Sequence, residues 1–467
     1  MKVALVNTNR MWPPIGPVGL EYVAEALHSL GHQPEVLDLC WEENTESAIS
    51  SFFKKKEFGL IGLSIRNTDD CAYGSKQSFI HEYADIARYI RACTDAPVVL
   101  GGVGFSVMPV PILERVEVDL GIWGDGEFIL PLLVEKMVKK DSWLELPNLI
   151  HRTNKGWTRN PIVTPSLDDL PLMNRGWFNN LRYYYKGGQA GFETKRGCPC
   201  KCIYCADPVA KGREVRLRSP RAVVHELKKL VEMGIIHFHT CDSEFNIPEY
   251  HGEEVCEEII KQNMGQKLQW YAYCAPTFFS RELARLLHSA GCVGINFGTD
   301  SGDDSILKRL GRNYTANDIE NTVQICKDVG ITVMLDLLLG TPGETEKSIV
   351  STIELMKRVE PDCVGISVGV RIYPGTFMGK LVEKGKLKEG LSGKPAGTEP
   401  IFYIEPDVAP FIFDLLDRLI GNDPRFYFMN PSKPEVNYNY NANQRLMDAI
   451  NNGFRGAYWD ILRKYSP

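Results

Sequence analysis

The stretch from residue 194 to 207, T-K-R-G-C-P-C-K-C-I-Y-C-A-D, constrains this chain more than any other. It sets Cys198, Cys202 and Cys205 in a C-x3-C-x2-C array, with Arg196 and Gly197 ahead and Tyr204 just before the last cysteine. Three thiolates on one short loop can hold three irons of a [4Fe-4S] cluster and leave the fourth iron without a protein ligand. A small molecule with an amine and a carboxylate, such as S-adenosylmethionine, could chelate that open iron. The pair Cys202 and Cys205 would also suit zinc, but a zinc ribbon needs a second pair to complete four ligands. Cys200 is an extra thiol with no ligand role assigned.

The rest of the chain is read around that loop. Its 467 residues predict two or three domains of about 100–200 residues each. A net charge of -6 gives no nucleic-acid footprint. No run of about 18 apolar residues exists, and Met1-Lys2 leads straight into an apolar strand, so no membrane partner and a cytoplasmic location are expected. The thirteen cysteines would then be mostly reduced.

Residues 1–145 alternate strand-like runs (3–6, 36–39, 60–64, 98–100) with helical patterns (20–30, 78–91, 128–139), which predicts a doubly wound, Rossmann-like parallel sheet. Ligands of such sheets sit at the carboxyl ends of the strands. The loops there carry Pro14 and Gly16, then Arg66 and Asn67, then Gly101, Gly102 and Val103, then Gly124, Gly126 and Glu127. No G-x-G-x-x-G opens a helix, so a dinucleotide site fits poorly. Residues 146–190 read as a connection between domains.

From 191 to 384 strands (191–195, 235–240, 268–273, 293–298, 333–339, 363–370) alternate with helices (222–233, 254–262, 281–289, 317–329, 346–359). Six such units predict a partial (β/α)6 barrel of TIM type, with its chemistry at the carboxyl ends of the strands. Residues 385–467 open with a Lys/Gly linker and continue as mainly helical, aromatic material, including Phe426-Tyr427-Phe428 and Tyr438-Asn439-Tyr440. They are expected to form a cap over the barrel mouth.

The cysteine array and the loops behind it resemble the radical S-adenosylmethionine superfamily. On that resemblance Asp242 or Glu244 would hold the methionine amino group, with a charge-assisted bond suiting a carboxylate. Asp300 and Ser301 match the family's G-x-E-S segment with Asp in place of Glu, which shortens the reach toward ribose. Gly340 and Pro342 match the turn that passes the adenine, and Tyr204 flanks the cluster. The P-P-x-G, L-G-G and G-x-G-E loops of the first domain resemble the cobalamin-binding domain of B12-dependent radical enzymes. The D-x-H-x-x-G motif by which many cobalamin proteins supply a histidine to cobalt is absent, and Arg66 is the candidate for the residue beneath the metal.

The resemblance implies a C-methyltransferase that uses a [4Fe-4S] cluster, S-adenosylmethionine and cobalamin, with an electron donor such as ferredoxin or flavodoxin. A 5′-deoxyadenosyl radical would take hydrogen from an unactivated carbon and methylcobalamin would supply the methyl group. The acceptor could be a peptide or protein side chain, such as glutamine or tryptophan, or a natural product. Tyr273, Arg371 and Tyr373 are the candidates for orienting it. A cobalamin-dependent cyclase or rearrangement enzyme, and a non-catalytic redox or corrinoid-binding module, are the alternatives.

Overall fold

The structure, a computed structural model, describes residues 1–394, 397–428, 430–431 and 443–465. Its first sheet contains β1 (Lys2–Asn7), β2 (Gln33–Asp38), β3 (Leu60–Ser64), β4 (Val98–Gly101), β5 (Leu120–Ile122), β6 (Leu149–Thr153) and β7 (Gly156–Arg159). Their order is β2-β1-β3-β4-β5-β6-β7. The first five are parallel, as the alternation predicts, and β5 through β7 pair antiparallel. Apolar clusters cover both faces of this sheet, one around Ile61, Leu100 and Phe105, the other around Leu5, Leu130 and Leu133. A strand buried on both faces reads as a near-continuous apolar run, as V-A-L-V does at residues 3–6.

Part of the span 146–190 therefore does more than connect. Its hairpin β6–β7 widens the first sheet, and its helix Asn180–Gly187 leads into the second. Arg175, in the same span, sits 2% exposed between Glu21 of the first domain and Glu226 of the barrel. Glu226 also accepts from Arg218 Nη1 at 2.7 Å and from the Tyr22 hydroxyl at 2.9 Å. Removing one partner of a buried ion pair of this kind typically costs ~3–5 kcal/mol.

The second sheet begins with β8 (Ala190–Phe192). A short antiparallel pair, β9 (Lys195–Arg196) and β10 (Arg216–Leu217), brackets the cysteine loop. The sheet continues with β11 (His237–Thr240), β12 (Gln269–Cys274), β13 (Cys292–Asp300), β14 (Thr332–Leu339) and β15 (Cys363–Val368). All pair in parallel, with the intervening helices packed on one side over Trp270, Ile295, Leu335 and Ile366. β16 (Val370–Ile372), β17 (Leu391–Ser392) and β18 (Ile401–Tyr403) form a separate small sheet.

The C-terminal region departs from its expected role as a cap. Residues Phe426–Phe428 form β19, a seventh barrel strand parallel to β15. The helices Gln444–Asn451 and Tyr458–Lys464 enter from the amino-terminal end of the strands, where Leu446, Ile450, Trp459 and Ile461 meet Tyr271, Met334, Cys363 and Tyr427. Both helices present an apolar stripe to the open lumen, which the glycine at 294 leaves wide enough for Trp459. The aromatic run at 438–440 lies outside the described residues.

Candidate functional site between the two sheets

The carboxyl ends of both sheets face each other across a cavity of about 870 Å³, within the range of roughly 300–1,000 Å³ usual for ligand sites. Pro14, Gly16, Arg66, Asn67, Gly101, Gly102, Val103, Gly124, Gly126 and Glu127 line one side, and Asp242 and Tyr273 the other. The first-sheet loops reach each other because Gly102 adopts φ +104, and a Cβ there would stand 2.4 Å from the Ile65 carbonyl oxygen. Arg66 Nη1 donates to Asn67 Oδ1 at 2.7 Å. Thr240 Oγ1 and Gln189 Oε1, on residues of the wall, are buried without a protein partner. Buried acceptors in native proteins are as a rule satisfied, so a bound group is the natural partner here.

The cysteine loop is tied to the cobalamin-type loops by charge. Arg196, immediately ahead of Gly197 and Cys198, donates to Asp125 and Glu127 of the 124–127 loop and to Glu193 Oε2 at 2.7 Å. Arg216, on the paired strand, also donates to Asp125. Two guanidiniums outweigh burial at Asp125 and hold its carboxyl below the usual range. Burial wins at Glu127, which faces Arg196 alone and has Asp125 beside it, and its pKa rises. Glu127 thus lines the cavity while its charge serves the joint between the domains.

All three candidate ligands are free thiols, with Cys198 buried and Cys202 and Cys205 partly so. Among the described residues no three His, Cys, Asp or Glu side chains stand in ready metal-binding geometry. The donor set still fits an iron–sulfur group. Cys198, hydrogen-bonded to Cys200 and buried, is pushed up, and burial pushes Cys202 to about 11 and raises Cys205 as well. Thiols that burial keeps neutral need a metal's positive charge to become ligands. Gly197, at φ +98, lets the loop pass the Glu214 carbonyl, which a Cβ would meet at 2.0 Å.

Glu244 fits a cofactor contact better than Asp242 does. Asp242 accepts from Thr194 N at 2.8 Å and Thr194 Oγ1 at 2.5 Å, so its oxygens hold the approach to the cysteine loop. Glu244 makes no side-chain hydrogen bond among the described residues, and its charge acts on Cys198, Cys200 and Cys202. Burial pushes it up to about 7 in spite of Arg312.

Several expected contacts are taken by other protein groups. Asp300 accepts from Arg312 Nε at 2.6 Å and from the Tyr204 hydroxyl at 2.7 Å, which ties it to the cluster loop. Ser301 is fully buried, with Oγ 3.1 Å from Thr352 Oγ1. Gly340 lies in a turn closed on itself, with the Gly340 and Thr341 N–H groups donating to Glu344 Oε2, and Pro342 follows in the same turn. Burial pushes Glu344 to about 7.

Arg371 donates to Asp69 through Nε at 3.0 Å and Nη2 at 2.7 Å, and Tyr373 lies 3.1 Å from Cys71 Sγ. Neither lines the cavity. Both tether the loop that follows Arg66. Tyr273 keeps its place, 43% exposed at the end of β12 and on the cavity wall.

His239 was not singled out by the sequence. It faces Tyr273 with ring centroids 4.7 Å apart. Its Nδ1 is 3.0 Å from the Thr240 carbonyl, which can only accept, so Nδ1 carries the hydrogen and Nε2 is left as an acceptor. Burial lowers its pKa to about 4, so the ring is neutral. His239 alternates with His237 in the strand H-F-H-T, so the sequence puts both on one face without saying that the face is turned to the lumen. Tyr458, from the C-terminal plug, also reaches the cavity wall.

Comparison with known proteins agrees with this geometry. Residues 192–356 match the model of the radical SAM superfamily, and residues 5–134 that of the B12 binding domain. The tryptophan 2-C-methyltransferase of Streptomyces laurentii is 30% identical over 81% of this chain and 73% of its own. The radical S-adenosylmethionine methyltransferase TsrM of Kitasatospora setae, solved with tryptophan and a SAM analogue, superposes with a TM-score of 0.94. That match is 30% identical and covers 99% of this chain and 97% of the other. The same enzyme solved with cobalamin and a [4Fe-4S] cluster gives a TM-score of 0.92 at 28% identity, with the same coverage. Among the described residues no helix is long and apolar enough to cross a membrane. A cysteine loop with an open-iron spacing, whose flanks Arg196 and Asp207 line one cavity with the glycine loops, and a match along the chain's length place it in the family of cobalamin-dependent radical S-adenosylmethionine methyltransferases.

Proposed function

We propose that the methyl acceptor is the indole of tryptophan. The observation that carries this reading is the continuity of the cavity from the cobalamin-side loops into the barrel lumen, where Tyr273, His239 and Tyr458 line it. A flat ring with one N–H donor suits an aromatic wall with a neutral imidazole acceptor. Similarity to a tryptophan 2-C-methyltransferase and to a tryptophan-bound TsrM supports the same choice.

Bound cobalamin supplies the methyl group, and the bound cluster and S-adenosylmethionine supply the electron and the source of methyl. The chain's residues do the rest. Cys198, Cys202 and Cys205 would hold three irons, and Glu244, whose charge acts on Cys198 and Cys202, would be free to accept from the methionine amine. Arg66, on the cavity wall among the first-domain loops, would face a bound corrin. Among the described residues the one histidine on the cavity wall, His239, belongs to the barrel side, which supports a cobalt without a histidine from the first domain. An electron carrier of ferredoxin or flavodoxin type supplies the reducing electron.

The test is anaerobic incubation of the reconstituted enzyme with tryptophan and S-adenosylmethionine labelled with deuterium in the methyl group. A trideuteromethyl group on an indole carbon is the expected product. Equal amounts of S-adenosylhomocysteine and 5′-deoxyadenosine would support hydrogen abstraction, and S-adenosylhomocysteine alone would remove that step while keeping methyl transfer. A fully loaded enzyme that leaves tryptophan unlabelled would overturn the assignment of the acceptor.

A further inference from the structure

The cysteine loop is gripped at its middle from both sides. The Ile203 N–H donates to the Leu310 carbonyl at 3.1 Å, and the Ile203 carbonyl accepts from Met378 N at 3.0 Å. The loop is thus held between the carboxyl end of the helix Asp304–Leu310 and the amino end of the helix Phe377–Glu383. Both helices turn basic groups to solvent. Lys308 and Arg309 are exposed on the first. On the second, Phe377, Lys380 and the adjoining Lys384 recur at i, i+3 and i+7, one helical face, and all three are exposed.

Lys201, at the crest of the loop, is exposed too. Arg213 donates to the Cys200 carbonyl at 3.1 Å. Among the described residues Lys201, Lys308, Lys380 and Lys384 form no ion pair. Phe377 is 57% exposed on the helical face it shares with Lys380 and Lys384. In a chain of net charge -6, four lysines without an ion pair and one exposed aromatic side chain thus stand on the cysteine loop and the two helices that grip it.

We propose that this face docks an acidic one-electron carrier protein, bearing a flavin or an iron–sulfur group, that charges the cluster through the cysteine loop. The proposal rests on the reading of that loop as a [4Fe-4S] site. In the step the carrier is oxidised by one electron and the cluster is reduced by one, and no bond of this chain forms or breaks. An aromatic anchor ringed by charge is the usual build of a small protein contact. Electron-transfer encounters are typically below about 1,200 Å², which two helix ends and a loop can supply. Complementary charge would speed the encounter and make it sensitive to salt.

The experiment measures binding of two probes, an oxidised flavodoxin and an oxidised ferredoxin, to the reconstituted protein by surface plasmon resonance. Unsubstituted protein is compared with the double variant Lys308→Glu/Lys380→Glu and with Phe377→Ala. At low salt at least one carrier should bind, about tenfold more weakly to each variant. The gap for the charge-reversed protein should close as salt shortens the screening length toward about 3 Å at 1 M. Iron content and cluster reduction by a small chemical reductant should stay at the unsubstituted level. Equal affinity in all three proteins, a salt-independent gap, or no binding of either carrier would overturn the docking face. Absence of iron from the unsubstituted protein would overturn the cluster reading as well, so the two failures are distinguishable.

Discussion

At the carboxyl ends of the barrel strands, buried charges join loop to loop. Arg196 reaches Asp125 and Glu127, and Arg371 reaches Asp69, so each ion pair spans the two domains. At the amino ends the lumen is closed by apolar packing of Trp459, Ile461 and Leu446 on Tyr271 and Met334, with one buried hydrogen bond from the Tyr271 hydroxyl to Asp460 at 2.6 Å. Ion pairs are directional and fix the positions of the loops they join, at a desolvation cost. Apolar contact is non-directional and supplies stability. The mouth is built for geometry and the plug for cohesion.

The contrast can be broken most completely at the cysteine loop. Cys202→Ser should abolish turnover and drop iron content while leaving the melting temperature of the apoprotein near that of the unsubstituted chain, as iron assay and calorimetry would record. Next comes Arg196→Met, which leaves Asp125, Glu127 and Glu193 with less countercharge. Urea unfolding should report a loss of about 3–5 kcal/mol, and corrinoid retention should fall with it because the 124–127 loop is no longer held.

The matching change at the other end is Trp459→Ala, also costing about 3–5 kcal/mol in unfolding, but with iron and corrinoid stoichiometry unchanged in the folded fraction. Trp459→Phe should cost less, since the indole N–H it removes is buried without a partner among the described residues. If Trp459→Ala released corrinoid as readily as Arg196→Met, the division between the two ends would fail.

The smallest effect is a pH dependence confined to the mouth. Glu344 is pushed to about 7 from 4.5, so the folded chain holds its proton through that interval while the unfolded chain releases it. The contribution is complete below pH 4.5 and is lost as the pH rises through about 7, amounting to roughly 3 kcal/mol. Glu344→Gln should flatten this part of the stability profile, measured by urea titration at several pH values.

Much of this arrangement is legible along the chain. Period and punctuation place the strands and helices of both sheets, and the cysteine spacing marks the loop because three ligands within eight residues leave a local pattern. The ion pairs leave none. Arg371 and Asp69 are 302 residues apart and Arg196 and Asp125 are 71, and any charged residue on either loop reads the same in sequence. β19 is three residues long and lies far from its partner strand, so it reads as loose aromatic material. The stripe on the C-terminal helices predicts burial without saying where, and the lumen of an incomplete barrel proved the available apolar surface. Asp300 and Ser301 match a ligand motif by position, and their contacts with Arg312 and Thr352 leave no mark in the sequence.

The account depends most on two cofactors sharing one cavity, and cofactor stoichiometry tests that directly. Protein reconstituted without oxygen and supplied with cobalamin would be assayed for iron, sulfide and corrinoid, with visible and EPR spectra recorded on the same sample. About four irons and one corrinoid per chain, with no histidine nitrogen coupling in the cobalt spectrum, is the predicted result. A full complement of iron with no retained corrinoid, or a histidine-ligated cobalt, would contradict the assignment of the first domain and of Arg66.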